Sequence, residues 1–194
     1  MATLICRLAL SMVICLTFVS CAFTTQTAML DAEIEMPKSN EGGGSTVHVK
    51  VVDERPDKGL GHRGTAYGKG APITTEQDME SLILEELLTG LAKKGFTPMR
   101  CGADNEPNLK VEIRLFKYST STGFWTGGIH TKAAFKVFAD AHGNTYEKMY
   151  RVDNEDRVVV VPTAETNQEY LNKLLTDVLL QLFEDRELIS TLAK

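Results

Sequence analysis

The first sustained apolar signal lies at the extreme N-terminus, where residues 8–19 (LALSMVICLTFV) follow Arg7 without a charge. A spanning helix needs about 20 apolar residues. This run is shorter and is followed by the small residues Ser20, Cys21 and Ala22, a pattern that predicts a secretory signal peptide over residues 1–20. Residues 23–28 read as a polar tether. Beyond them Leu30, Ala32, Ile34 and Met36 alternate with Asp31, Glu33 and Glu35 before Pro37. That period of two predicts a short strand at a sheet edge. Residues 38–45 (KSNEGGGS) have the composition of a linker. Residues 21–45 are therefore assigned to tether and edge strand, and residues 46–194 to one globular domain.

Within that domain residues 46–52 (TVHVKVV) place Val47, Val49 and Val51 on one face of a core strand. A long Gly-rich loop is expected over residues 53–73. A helix then follows, with Thr74 as its cap and Gln77 as the capping-box partner. Its apolar stripe is Met79, Leu82, Ile83, Leu87 and Leu91. Lys93 and Lys94 suit the negative end of the helix dipole, and Gly95 supplies a left-handed stop. Residues 96–100 read as a short strand. Leu109, Val111, Ile113 and Leu115 define one face of a long strand, and Thr131, Ala133, Phe135, Val137 and Ala139 define another. Residues 140–144 (DAHGN) turn the chain into a third, 145–152, which predicts an antiparallel meander. A final helix starts near Glu165 with the stripe Leu171, Leu174, Leu175, Val178, Leu182 and Phe183, and Leu188, Ile189 and Leu192 extend it. The expected fold is α+β: an antiparallel sheet of about four to five strands with two helices on one face and the other face partly wet.

Charge narrows the function classes. The chain carries 21 Lys and Arg against 26 Asp and Glu, a net charge of −5. Nucleic-acid binding needs basic patches that displace phosphate counterions, so no nucleic-acid partner is expected. Cys6 and Cys15 lie in the segment to be removed, leaving Cys21 and Cys101.

The chemical candidates are few. Gly59, Gly61 and Gly64 match the spacing G-x-G-x-x-G, but a dinucleotide fingerprint needs its third glycine to open a helix. Residues 67–72 intervene before any helix, so the segment reads as a flexible recognition loop. Asp53 and Arg55 are placed to form an ion pair that anchors the loop. His48, His62, His130 and His142 show no zinc-ligand spacing, and nothing assigns a base to Cys101. No nucleophile-elbow or Ser-x-x-Lys motif is present. The expectation is a protein that is not an enzyme and holds no metal or cofactor.

Two irregular segments remain as a partner site. The Gly-rich loop brings Arg55, Lys58 and Arg63, and the hairpin tip over residues 119–128 (STSTGFWTGG) brings Phe124 and the sole Trp, Trp125. Aromatics on a loop are frequent binding anchors; the other reading of Phe124 and Trp125 is that they fold over the sheet end as core lids.

Phe18-Val19-Ser20-Cys21 resembles the lipobox of bacterial lipoproteins. That resemblance implies acylation of Cys21, palmitate included, and a mature chain beginning there; two or more acyl chains suffice for stable anchoring. Ala22 in place of Asp implies outer-membrane sorting. The set Val51-Val52-Asp53-x-Arg55-Pro56, Pro72-Ile73-Thr74, Lys94-Gly95-Phe96 and Thr131-Lys132-Ala133, in this order behind the lipobox, resembles the YajG-type family of bacterial envelope lipoproteins. The fold order is also similar to modules of curli-export and penicillin-binding-protein activator lipoproteins, a likeness of fold alone. The implied function is an outer-membrane-anchored, non-catalytic lipoprotein on the periplasmic side, bound to the membrane through its N-terminal lipid and binding an envelope protein or peptidoglycan. The alternative is a periplasmic carrier of a lipid or other apolar ligand, held in a cavity lined by Leu82, Phe135 and Leu175.

Overall fold

A computed structural model describes residues 24–64, 70–102, 106–122, 127–158 and 162–193. The predicted signal peptide, Cys21, Phe124 and Trp125 lie outside the described residues. Among those described, eight strands form one sheet: β1 (Gln26–Thr27), β2 (Thr46–Asp53), β3 (Gly61–Arg63), β4 (Ala71–Thr74), β5 (Thr97–Arg100), β6 (Leu109–Thr122), β7 (Gly127–Ala141) and β8 (Asn144–Val158). Three helices accompany it: α1 (Met79–Lys93), α2 (Ala164–Phe183) and α3 (Arg186–Leu192).

The antiparallel meander is present as β6, β7 and β8. The rest of the sheet corrects the expectation of four to five antiparallel strands. β6 carries β2 along its first half and β3 along its second, both parallel to it. β2 is also parallel to β5, reached through α1, and β1 is parallel to β4. Parallel neighbours cannot be joined by a tight hairpin and need a long connection, here the whole stretch of β3, β4 and α1 between β2 and β5. The Gly-rich segment is no continuous loop either, because β3 and β4 pair antiparallel within it. Strands of two to four residues are too short to show a period of two.

Side-chain alternation places one sheet face against the helices. Val47, Val49 and Val51 of β2, Leu109, Val111 and Ile113 of β6, and Phe135 and Val137 of β7 join Ile83, Leu87, Leu174, Leu175 and Leu182 in one cluster. Each such side chain removed from water contributes about 1.5–3 kcal/mol. The inward series on β6 breaks after Ile113. The register against β7 jumps from Ile113↔Phe135 to Leu115↔Ala134, a bulge that puts one extra residue on β6. Leu115 is thereby turned out, 37% exposed, and Phe116 and Tyr118 turn in. This reverses the expected phase, since a simple alternation would have buried Leu115.

The predicted edge strand over residues 30–36 is the largest departure. Its inward residues are as expected, with Leu30 and Ile34 buried, but it joins no sheet. Instead the segment runs extended as a strap between α1 and α2. The backbone N–H groups of Met29, Asp31 and Glu33 donate to Gln168 Oε1, Asn172 Oδ1 and Thr176 Oγ1 at 3.0, 3.1 and 3.0 Å. Four residues of helix rise about 6 Å and two residues of extended chain about 6.6 Å, so every second amide meets every fourth side chain. The other edge of the strap faces α1. Leu30 N–H donates to Gln77 Oε1 at 2.5 Å, Gln77 Nε2 donates to Leu30 O at 2.9 Å, and Lys93 Nζ donates to Ile34 O at 2.8 Å.

That use of Gln77 explains a second correction. The cap of α1 is Asp78, whose side chain accepts from Ser81 N–H, while Thr74 ends β4. The stop at Gly95 is as expected, with φ at 87°. The final helix starts at Ala164, capped by Thr163, but it ends at Phe183. Leu188, Ile189 and Leu192 belong to a separate α3 with Asp185 as its cap.

Candidate functional site

The segment between β2 and β3 is built on Asp53. Arg55 grips its carboxylate twice, Nε to Oδ1 and Nη2 to Oδ2, both at 2.9 Å. Lys58 Nζ reaches Asp53 O at 2.6 Å and Oδ2 at 3.2 Å. Burial pushes the Asp53 carboxyl up, but the hydrogen bonds from the Arg55 side chain and backbone, with its charge, outweigh that and hold it below the usual range. The Asp53 N–H donates to Glu80 Oε1 at 2.8 Å, which fastens the strand end to the first turn of α1. Arg55 is only 4% exposed. Its place as a partner-binding residue is therefore corrected: it forms the expected ion pair, with Nε and Nη2 of its guanidinium held on Asp53, and a buried charge kept beside its counter-ion is a structural clamp. Lys58 remains exposed.

Arg63 occupies a different place. On β3, its Nη2 donates to Thr24 O at 2.8 Å and to Thr24 Oγ1 at 3.3 Å. Just inside lies a buried chain of neutral groups. Tyr118 OH donates to Asn167 Oδ1 at 2.5 Å, Asn167 Nδ2 to Gln26 Oε1 at 2.8 Å, and Gln26 Nε2 to Ala164 O at 2.7 Å. Asn167 has no exposed surface. The chain ties β6, the start of α2 and the N-terminal segment to one point. No sequence motif marks it. The only signals are an Asn inside an apolar helix stripe and a Gln in a supposed tether.

Gly61 sits with φ at 133°, and a Cβ there would overlap the carbonyl of Tyr118. Close strand approach, and not a phosphate cradle, explains that glycine; β4 follows where a dinucleotide fold needs a helix. The four His are distributed over β2, β3, β7 and the β7–β8 turn, and none contacts Asp53 or Arg55. Ser121, His130 and Glu155 do fall in nucleophile–base–acid order, with Ser121 Oγ 3.2 Å from His130 Nε2. The Glu155 oxygen is 4.0 Å from Nδ1 and its side chain 66% exposed, which is too far to orient the imidazole. Among the described residues no group of His, Cys, Asp and Glu is placed to hold a metal. Cys101 is half-buried, and its N–H donates to Val49 O.

At the opposite end of the meander Asp185 gathers a second cluster. Its Oδ1 accepts from the N–H groups of Glu187 and Leu188, while Oδ2 accepts from Tyr146 OH at 2.8 Å, Tyr150 OH at 3.0 Å and Lys148 Nζ at 2.5 Å. Burial raises this carboxyl, but the hydrogen bonds from Lys148, Tyr146, Leu188 and Tyr150 prevail and bring it from 3.8 to about 2. Near this end a cleft opens between β6 and β8, lined by Asn108, Lys110, Phe138, Asp140, Tyr146 and Glu147. Lys110 and Lys136 lie over the Phe138 ring at 5.7 and 4.7 Å from its centroid.

A mixed sheet covered on one face by helices, with its N-terminal chain stitched into the helical layer, defines a two-layer α+β domain. The chain belongs to the lipoprotein family Lipoprotein_16, described as uncharacterized lipoprotein, whose profile matches residues 32–193; this is the YajG family that its motifs resemble. No curated protein matches the sequence. Among solved structures, a Xanthomonas campestris protein is 12% identical with a TM-score of 0.46, covering 84% of this chain and 93% of its own. A neuraminyllactose-binding hemagglutinin homolog from Helicobacter pylori is 9% identical with a TM-score of 0.44, covering 82% and 95%. Uncharacterized lipoprotein B from Nitrosomonas europaea is 9% identical with a TM-score of 0.39, covering 77% and 86%. At such values the likenesses carry no functional weight.

Proposed function

We propose that this lipoprotein is anchored in the outer membrane through acyl chains on Cys21, faces the periplasm, and works without catalysis by binding an envelope protein or the cell wall. The observation that carries this reading is the commitment of the buried ionisable groups. Asp53 is held by Arg55 and Lys58, Glu112 by Lys110 and Arg114, and Asp185 by Lys148 and two tyrosines. Each serves the fold, and none converges with a nucleophile at a cleft. Phe135 and Leu175 are fully buried in the continuous core, and Leu82 packs against it. Helices packed directly on the sheet support partner binding over the carrier alternative.

Surface is what such a domain offers a partner. With Arg55 withdrawn, Lys58 and Arg63 remain of the charged candidates, together with Phe124 and Trp125 in the β6–β7 connection. The cleft around Phe138 lies at the end of the meander farthest from Thr24, where a partner in the periplasm has access. The test is site-specific photo-crosslinking in intact cells, with the probe at Glu147 beside the cleft or at Lys58. A discrete protein or peptidoglycan adduct from either position supports the reading. Silence from both, with normal protein levels, overturns it.

A further inference from the structure

We propose that the end of the domain carrying Thr24, Arg63 and the last residues of β6 and β8 is seated flat against the lipid surface that holds the acyl chains. The inference rests on acylation of Cys21. It adds an orientation and a second partner, a bilayer surface, to the proposed function.

The argument starts from where the free chain ends. Arg63 already holds Thr24, Gln26 pairs with Ile73, and Ala28 N–H donates to Thr74 O at 2.8 Å. From Met29 onward the strap is fastened to α2 side chain by side chain. The supposed tether over residues 23–28 is therefore fold from Thr24 on. Only Ala22 and Phe23 separate Cys21 from Thr24, and three extended residues span about 10 Å.

Sheet register fixes what shares that level. Gln26 lies opposite Ile73 on a parallel neighbour, so Thr24 falls level with Ala71, and Ala71 lies opposite Arg63. His62 lies opposite Ser119, which puts Arg63 beside Thr120. β6 continues to Thr122, paired with Gly127, and Gly127 pairs with Val158 at the end of β8. The hairpin thus projects two residues, about 7 Å, past Thr24, comparable with the whole reach of the chain to Cys21. A lipid surface holding acyl chains at Cys21 is met by this end of the sheet. The start of α2, to which Gln26 is bonded through Ala164 O, belongs to the same end.

The chemistry of that end suits an interface. The described rim is Thr24, Thr25, Arg63, Gly64, Gly127, Gly128 and Thr163, with Arg157 opposite Gly128 and Asp156 one residue below it; its two arginines suit lipid phosphate.

The test uses the acylated full chain purified from cells, reconstituted in vesicles of phosphatidylethanolamine and phosphatidylglycerol with brominated acyl chains. An environment-sensitive fluorophore is attached at R157C or T145C in a C101S background. Both sites are exposed on β8, twelve residues or about 40 Å apart. The label at 157 should shift to the blue and be quenched several-fold more than the label at 145. Inserting a ten-residue Gly-Ser linker between Ala22 and Phe23 should abolish that difference while vesicle attachment persists. Equal, aqueous signals from both labels on protein whose acylation mass spectrometry confirms would overturn the orientation and leave the anchor standing. A spectrum without acyl chains on Cys21 would overturn the anchor, and the orientation with it. A photo-crosslinker at 157 that captures a protein in cells would assign this end to a protein partner instead.

Discussion

The two ends of the meander are held by polar clusters of opposite kinds. Near Thr24 the cluster is neutral: Tyr118, Asn167 and Gln26 pass hydrogen bonds from a core strand through a helix to the N-terminal chain. Near α3 it is ionic, with one carboxylate, Asp185, holding two tyrosines, a lysine and two backbone amides. The neutral cluster is buried beyond the reach of water, where an amide costs less to hide than a charge. The ionic one lies at a rim, where Lys148 stays exposed. The first therefore fixes where the chain enters the fold regardless of pH, and the second ties α3 to the sheet most strongly while Asp185 is ionised.

The most damaging way to break the neutral end is Gly61→Ala. The new methyl group meets the Tyr118 carbonyl at a backbone angle that alanine resists, so a loss of about 4 kcal/mol is expected, read by urea denaturation. Asn167→Ala comes next. It leaves the Tyr118 hydroxyl and the Gln26 amide without their partner, and should cost about 3 kcal/mol, equally at pH 5 and pH 8. A loss that varied with pH would show that the cluster is not neutral.

The ionic end answers to acid. Because the folded carboxyl of Asp185 lies near 2 and its ordinary value is 3.8, its contribution is fully present above pH 4. It is lost as pH falls through 2. That shift corresponds to about 2 kcal/mol. Asp185→Asn should lower stability by about this amount at pH 7 and flatten the profile between pH 4 and pH 2; a variant with the wild-type acid profile would remove Asp185 as its source. The smallest expected effect belongs to the strap. Asn172→Ala deprives the Asp31 amide of its acceptor at an exposed site, costing about 1 kcal/mol or less. Hydrogen exchange at Asp31 should accelerate while core amides keep their protection.

Periodicity alone determined the long elements. α1, α2, β2 and the meander stand where their apolar stripes put them, because a face of one helix or one strand must be buried whatever it is buried against. Gly95 marked its stop for a local reason, its positive φ, although the close approach of the Asn40 backbone that also excludes a side chain there left no local trace. The strap shows the limit of such reasoning. Leu30, Ala32, Ile34 and Met36 revealed which side faces inward, but not that helix side chains would replace a neighbouring strand. That choice depends on Gln168, Asn172 and Thr176, some 140 residues along the chain. Leu115 and Phe116 exchanged roles because a bulge is decided between two strands. Thr74 lost the cap to Asp78 because β1 and β3 claim β4. The ion pair of Asp53 with Arg55 was legible in their spacing, but that Arg55 would be withdrawn from the surface was not. Composition and local pattern therefore settled what each segment must hide; long-range pairing settled what hides it, since partners distant in sequence leave no periodic trace.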